Sequence, residues 1–213
     1  MYSKPVFAPA DSREVYDFID RTVFGTLVTK SPDSLVISHL IFMLDRSRGA
    51  HGTLVSHLSK ANEHAHLILE GAESAAIFVG EHGYISSSWY PGYPVRDSAP
   101  TWNFSVVHCH GHPRALDADG ATAHLRDAVG HLEQGRDQPW NIDELGDEGI
   151  ARRVANIVAF ELPIERLDAK FKLGQDERLP DTCAAIEHLR REGGCPLAVR
   201  MEEKNRHRDK SYK

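Results

Sequence analysis

Short β-prone segments, each closed by a turn former, restrict what this chain can fold into. GTLVTK (25–30), SLVISHLIFML (34–44), GTLVSH (52–57) and SAAIFVG (74–80) are rich in Val, Ile, Thr and Phe. Pro32-Asp33, residues 46–49 and Gly71 separate them, which is the punctuation of antiparallel strands. TWNFSVVHCHGHPRALD (101–117) reads as a further strand bent near 111–113, and NIVAFELPIERLD (156–168) as a last one. Helical spacing appears between and around them. Asp11-Ser-Arg-Glu14 is a capping box ahead of Val15, Phe18 and Ile19, and residues 59–69 read as a helix capped by Ser59. Ala121, Leu125, Ala128, Val129 and Leu132 share one helix face, and 182–191 reads as a helix capped by Asp181. The expected class is α+β, a small antiparallel barrel with helices flanking it. No G-x-G-x-x-G or G-x-x-x-x-G-K-[ST] follows a strand, which excludes the ordinary dinucleotide and P-loop solutions.

The 213 residues suffice for one domain with a real core, expected over 1–203. The last ten, 204–213, carry Lys204, Arg206, Arg208, Lys210 and Lys213 against Asp209 alone, and read as a disordered basic tail. Without them the body holds 20 basic and 30 acidic residues, a charge of −10. That charge repels phosphate backbones, so nucleic acid is disfavoured for the body and left to the tail. No run of 18 apolar residues and no signal-peptide core occur, so no membrane partner is expected. Cys109, Cys183 and Cys195 form no C-x-x-C pair, which fits a reducing cytoplasm better than a disulfide framework.

Four places could carry chemistry. Six of the 17 aromatic residues (Tyr84, Trp89, Tyr90, Tyr93, Trp102, Phe104) fall between 84 and 104 beside Pro91, Pro94 and Pro100. Such a loop covers a planar ligand, a subunit partner or the core. His57 stands at the expected strand-to-helix junction, where backbone N–H groups and Lys60 would form an anion site. It is equally a candidate metal or haem ligand or a structural histidine, whereas His64 and His66 read as surface residues. His108, His110 and His112 would share a strand face, an H-x-H spacing that binds metal or simply lies half-exposed. Lys170 and Lys172 share a face in extended backbone and would hold a phosphate or carboxylate, or be solvated. No catalytic residue is assigned.

A resemblance adds to this. Met1-Tyr2, Pro5-x-Phe7, Ser38-His39-Leu40, Leu44-Asp45, Gly52-x-Leu54 and His57-Leu58-x-Lys60-Ala61-Asn62 carry its first part. Tyr84-Ile85-Ser86-x-Ser88-Trp89-Tyr90, Pro100-Thr101-Trp102-Asn103-Phe104, Pro139-Trp140 and Lys170-Phe171-Lys172-Leu173-x-Gln175 carry the rest. In this order the chain resembles the PaiB-type family of FMN-binding negative transcriptional regulators, which have a flavin-binding split-barrel fold. It departs from that family at Ile41, Glu63 and Ser87, where proline is usual, and at Gly174 and Asp176, where serine and asparagine are usual.

The resemblance implies a homodimer with cofactor sites between subunits and a redox or metabolite-linked regulatory role. The cofactor-binding residues it implies are Ser38, His39, His57, Lys60, Asn62, Trp89, Trp102, Lys170, Lys172 and Gln175. In the FMN version Lys60, Lys170 and Lys172 meet the phosphate and the aromatic loop covers the ring. Piperazate synthases resemble the same family but hold haem. The alternative is therefore a haem b enzyme acting on a small hydroxylamine or amino acid, with His57 as axial ligand and His39 as alternate. A barrel that has lost its cofactor is the third possibility.

Overall fold

The computed structural model describes residues 1–91, 98–193 and 195–211, the side chains of 209–211 excepted. Its elements alternate as the β-prone runs require. Helix α1 (Ser12–Arg21) precedes strands β1 (Phe24–Lys30), β2 (Leu35–Asp45) and β3 (Thr53–Ser59). Helix α2 (His64–Leu69), β4 (Ser74–Ile85), β5 (Thr101–Gly111) and β6 (Arg114–Ala115) follow. Then come α3 (Ala118–Leu132), α4 (Gly146–Val154), β7 (Ile157–Pro163), β8 (Arg166–Lys172), α5 (Leu179–Arg191) and α6 (Pro196–Asn205). The strands form one sheet in the order β6-β7-β3-β2-β1-β4-β5-β8, so the α+β antiparallel expectation holds.

Two compact units divide the chain: 1–18, 79–107 and 168–213 in the first, 19–78 and 108–167 in the second. The second unit carries two seven-pair ladders. β1 and β2 pair antiparallel from Phe24↔Ile41 to Lys30↔Leu35, and β3 pairs β7 from Thr53↔Pro163 to Ser59↔Ile157. Alternation puts Leu27, Phe42, Leu54, Phe78, Phe160 and Leu162 inside, all fully buried. Phe42 meets Phe78 and Phe160 edge-on at 5.5 and 6.4 Å between ring centroids. Gly111 ends β5 where a Cβ would run into the Pro163 carbonyl, so the close backbone approach demands glycine. In the first unit Phe171 of β8 packs on Phe18 of α1 at 5.3 Å, with Ile85, Leu173, Leu189, Leu197 and Met201 buried in the same unit.

Several expectations are corrected. No helix starts at Ser59, because β3 keeps its ladder with β7 through Ser59 and Lys60 N still donates to Asn156 O at 3.0 Å. The helix begins only at His64, after Asn62 Oδ1 accepts His64 N at 2.9 Å. The strand expected over 156–168 breaks where Ile164 N turns to Gly52 O and Glu165 N to His110 O. Asp181 is not a cap. α5 starts two residues earlier with Pro180 in its first turn, and Asp181 is buried under the Arg178 guanidinium at 2.7 and 3.0 Å. The expected disordered tail is also not found across 204–208. α6 runs through residue 203 to Asn205, and Lys204 Nζ binds Glu14 Oε2 at 2.7 Å. Tyr93 and Pro94 of the aromatic loop, with Lys213, lie outside the described residues.

Candidate functional site

The expected cofactor residues divide equally between the units. Ser38, His39, His57, Lys60 and Asn62 belong to the second, and Trp89, Trp102, Lys170, Lys172 and Gln175 to the first.

In the second unit the organiser is a residue that spacing alone placed on the surface. His64 is fully buried, with Nδ1 3.0 Å from Ser38 Oγ and Nε2 2.7 Å from Thr29 Oγ1. Thr29 Oγ1 lies 2.6 Å from Ser74 Oγ, and Ser74 donates its hydroxyl to Ala72 O at 2.8 Å. These bonds fix every proton. Ser74 has one hydrogen and gives it to a carbonyl, so Thr29 donates to Ser74 and accepts from His64 Nε2–H. His64 Nδ1 therefore accepts from Ser38, whose oxygen in turn receives Asn62 Nδ2–H at 3.3 Å. Burial holds the His64 pKa below the usual imidazole value, in keeping with this neutral tautomer. Ser38 thus has no donor left for a ligand, and Asn62 keeps one N–H.

His57 lies inside β3, not at a helix start, and its Nδ1 is 2.9 Å from His124 Nε2 of α3. Burial lowers both pKa values, that of His124 to about 4 with His57 as a second cause. If Nδ1–H of His57 donates to His124, Nε2 presents a lone pair, the form an axial ligand needs. His124 sits on the Ala121–Ala128 stripe, so its burial was legible in the spacing, whereas its partner was not. Lys60 is exposed and donates to Ala155 O at 2.6 Å, at the C-terminal end of α4, and with Ser59 still in β3 the strand-to-helix junction expected there does not form. His39 is exposed, 3.0 Å from Thr26 Oγ1 and stacked on Phe24. His108 and His110 stand 6.2 Å apart between ring centroids, and His112 pairs with Glu165 at 3.1 Å.

In the first unit Phe171 points inward and leaves Lys170 and Lys172 on the other face of β8, as alternation requires. Lys170 Nζ lies over the rings of Phe104 (5.2 Å), Phe7 (5.6 Å) and Tyr2 (5.7 Å), and donates to Tyr2 O at 3.3 Å. Lys172 donates to Thr101 Oγ1 and, at 3.1 Å, to Trp102 O, and burial pulls its pKa down. Trp102 is half-exposed, its indole N–H reaching His82 Nδ1 at 3.3 Å and its ring 6.4 Å from that of Tyr84. Lys4, bound to Asp176 at 3.2 Å and 5.6 Å from the Phe7 ring centre, joins this cationic and aromatic surface without any signal in the sequence. Trp89 stands apart, stacked on His188 at 4.2 Å. Gln175 is turned to its own backbone, accepting from Leu173 N at 2.6 Å and donating to Phe171 O at 2.5 Å.

A relative with 29% identity, covering 95% of each chain, is the Bacillus subtilis (strain 168) "Protease synthase and sporulation protein PAI 2". Among solved structures, the FAD and heme binding protein from Mycobacterium smegmatis superposes with a TM-score of 0.57 at 17% identity, over 83% of this chain and 78% of its own. The flavocytochrome Anf3 from Azotobacter vinelandii gives 0.57 at 17% identity, over 80% and 72%. These likenesses establish the split-barrel fold with flanking helices. Residues 1–166 match the model of the family described as "Putative FMN-binding domain", and the protein belongs to that family, in its PaiB type.

Proposed function

We propose that the protein binds FMN as a homodimer and serves a redox- or metabolite-linked regulatory role. The carrying observation is a half-exposed face of β4, β5 and β8 in the first unit. There Tyr84, Trp102 and Phe104 offer aromatic surface beside Lys170 and Lys172. This donor set fits the group: ammonium ions suit a phosphate dianion, and aromatic faces suit a flat heterocycle. Lys172 uses two of its three N–H donors on Thr101 and Trp102 and keeps one for an anion. Bound FMN would supply one- and two-electron redox chemistry. The protein's part is to hold the phosphate on Lys170 and Lys172 and to shield the ring with Trp102. Family membership supports the cofactor, and the Bacillus subtilis relative's name ties that protein to sporulation. The body charge of −10 argues against direct capture of DNA, and Lys204 and Arg208 are engaged within the fold.

For the dimer, a second copy would cover the face carrying Phe24, Leu35 and Ile37, which are 61%, 62% and 56% exposed. Cross-strand partners Val28↔Ile37 and Phe24↔Ile41 lie on that face, with Thr26↔His39 between them.

One observation favours a second reading, a haem b enzyme acting on a small hydroxylamine or amino acid. His57 is held through Nδ1 by His124, which suits Nε2 to an iron.

Titrating the purified protein with FMN, riboflavin and hemin tests both readings. FMN is expected to bind, and Lys172→Met to weaken it by roughly ten- to a hundredfold while riboflavin is unchanged. No FMN binding overturns the first reading. A Soret band that persists in His57→Ala overturns the second.

A further inference from the structure

Residues 204–208 begin the basic stretch at the chain's end, yet Asn205 and Arg208 are bound to the fold's own backbone. Arg208 donates through Nη1 to Gly174 O at 3.1 Å and Asn205 Oδ1 at 2.8 Å, and through Nη2 to Glu177 O at 2.6 Å. Asn205, buried, donates Nδ2 to Leu173 O at 2.9 Å and to Met201 O at 2.7 Å. Thr182 of α5 adds its hydroxyl to Gly174 O at 2.9 Å. Three carbonyls of the turn that leaves β8 are therefore gripped from α5 and from the segment after Met201. Guanidinium bonds to carbonyls are charge-assisted and directional, so this grip is firmer than an ordinary loop contact.

The turn needs it. Gly174 has φ +90°, a left-handed conformation open to glycine at little cost, and glycine is also the residue that most readily leaves any one conformation. A Cβ there would lie 3.1 Å from Thr182 Cγ2 and 3.4 Å from Met201 Cε, so the helices close over the turn because it has no side chain. Lys172 stands two residues before Gly174, and a loose turn would release the end of β8 that aims its ammonium.

We propose that Arg208, together with Asn205, is a positioning residue for ligand binding: it clamps the turn after β8 and so holds Lys172 where it meets an anionic phosphate. This rests on the FMN reading above and turns the basic end of the chain from a nucleic-acid contact into part of the phosphate site's support.

A double-mutant cycle on the full chain tests it, with FMN and phosphate-free riboflavin as probes. Arg208→Ala is expected to weaken FMN about tenfold and leave riboflavin unchanged. Combined with Lys172→Met it should add nothing to the loss that Lys172→Met causes alone, because both act through one ammonium. Arg208→Lys, which can reach one carbonyl but not fork between two, should recover part of the affinity. If Arg208→Ala does not fold, Asn205→Ala takes its place in the same cycle. Losses that add, or an equal fall for riboflavin, overturn the clamp alone. A parent protein that binds no FMN overturns the flavin reading and the clamp with it.

Discussion

His64 illustrates how one side chain can organise a corner that its sequence neighbours do not announce. His64 and His66 sit two apart in a histidine-rich stretch, which reads as solvated surface; only the tertiary structure brings Ser38 and Thr29 to both ring nitrogens. The neutral tautomer has a consequence for acid stability. The folded pKa lies below the ordinary 6.5, so between these values the unfolded chain takes up the proton and the folded one does not. Stability contributed by neutral His64 is therefore present above pH 6.5 and lost as pH falls through the depressed folded value. We expect the urea midpoint to drop between pH 7 and 5, and to drop less steeply in His64→Asn, which keeps an acceptor for Ser38 but cannot titrate. That variant should also cost about 1–3 kcal/mol at pH 7. An unchanged pH slope would assign the effect to other histidines, of which the buried His124 and the half-buried His57 also have lowered pKa values.

At the scale of elements, period-two alternation made β1, β2, β3 and β5 legible, because each has one face on a core. The errors fall where an element's fate depends on its partner. Ser59 carries a good capping residue, but the β7 ladder extends over it and holds it in the strand. Residues 156–168 read as one β-prone run, yet the chain changes neighbours at Ile164 and becomes two strands. Apolar spacing gives no helix over α4, although the turn before it has a capping box, Asn141 with Glu144, that spacing reveals. Gly111 is where strand and turn requirements meet. Gly111→Ala would force a methyl into the Pro163 carbonyl and should lower unfolding free energy by about 1–3 kcal/mol, measured by urea denaturation. A loss near zero would mean that β5 can slide away from β7 at little cost.

For the whole molecule, the distribution of apolar surface matters more than its amount. Leu27 and Phe42 face inward while Phe24 and Ile37 on the same two strands face solvent, so this sheet has apolar residues on both sides. A lone antiparallel sheet usually has one polar face, and a second copy is the simplest cover for the other. Ile37→Glu is expected to convert a dimer to monomer in sedimentation velocity while leaving far-UV circular dichroism intact, and a monomeric parent protein would remove the dimer from the proposal. By itself the sequence determined the α+β class, the strand-rich middle, the acidic body and the family, because these follow from local periodicity, composition and ordered motifs. Tertiary structure alone decided that His64 organises the Ser38 corner, that Lys60 turns to Ala155, that Gln175 serves its own turn, and that Arg208 belongs to the Lys172 turn. Hydrogen-bond partners far apart in the chain leave no spacing to read: Arg208 meets carbonyls 31 and 34 residues away, and only the folded backbone brings those acceptors within reach.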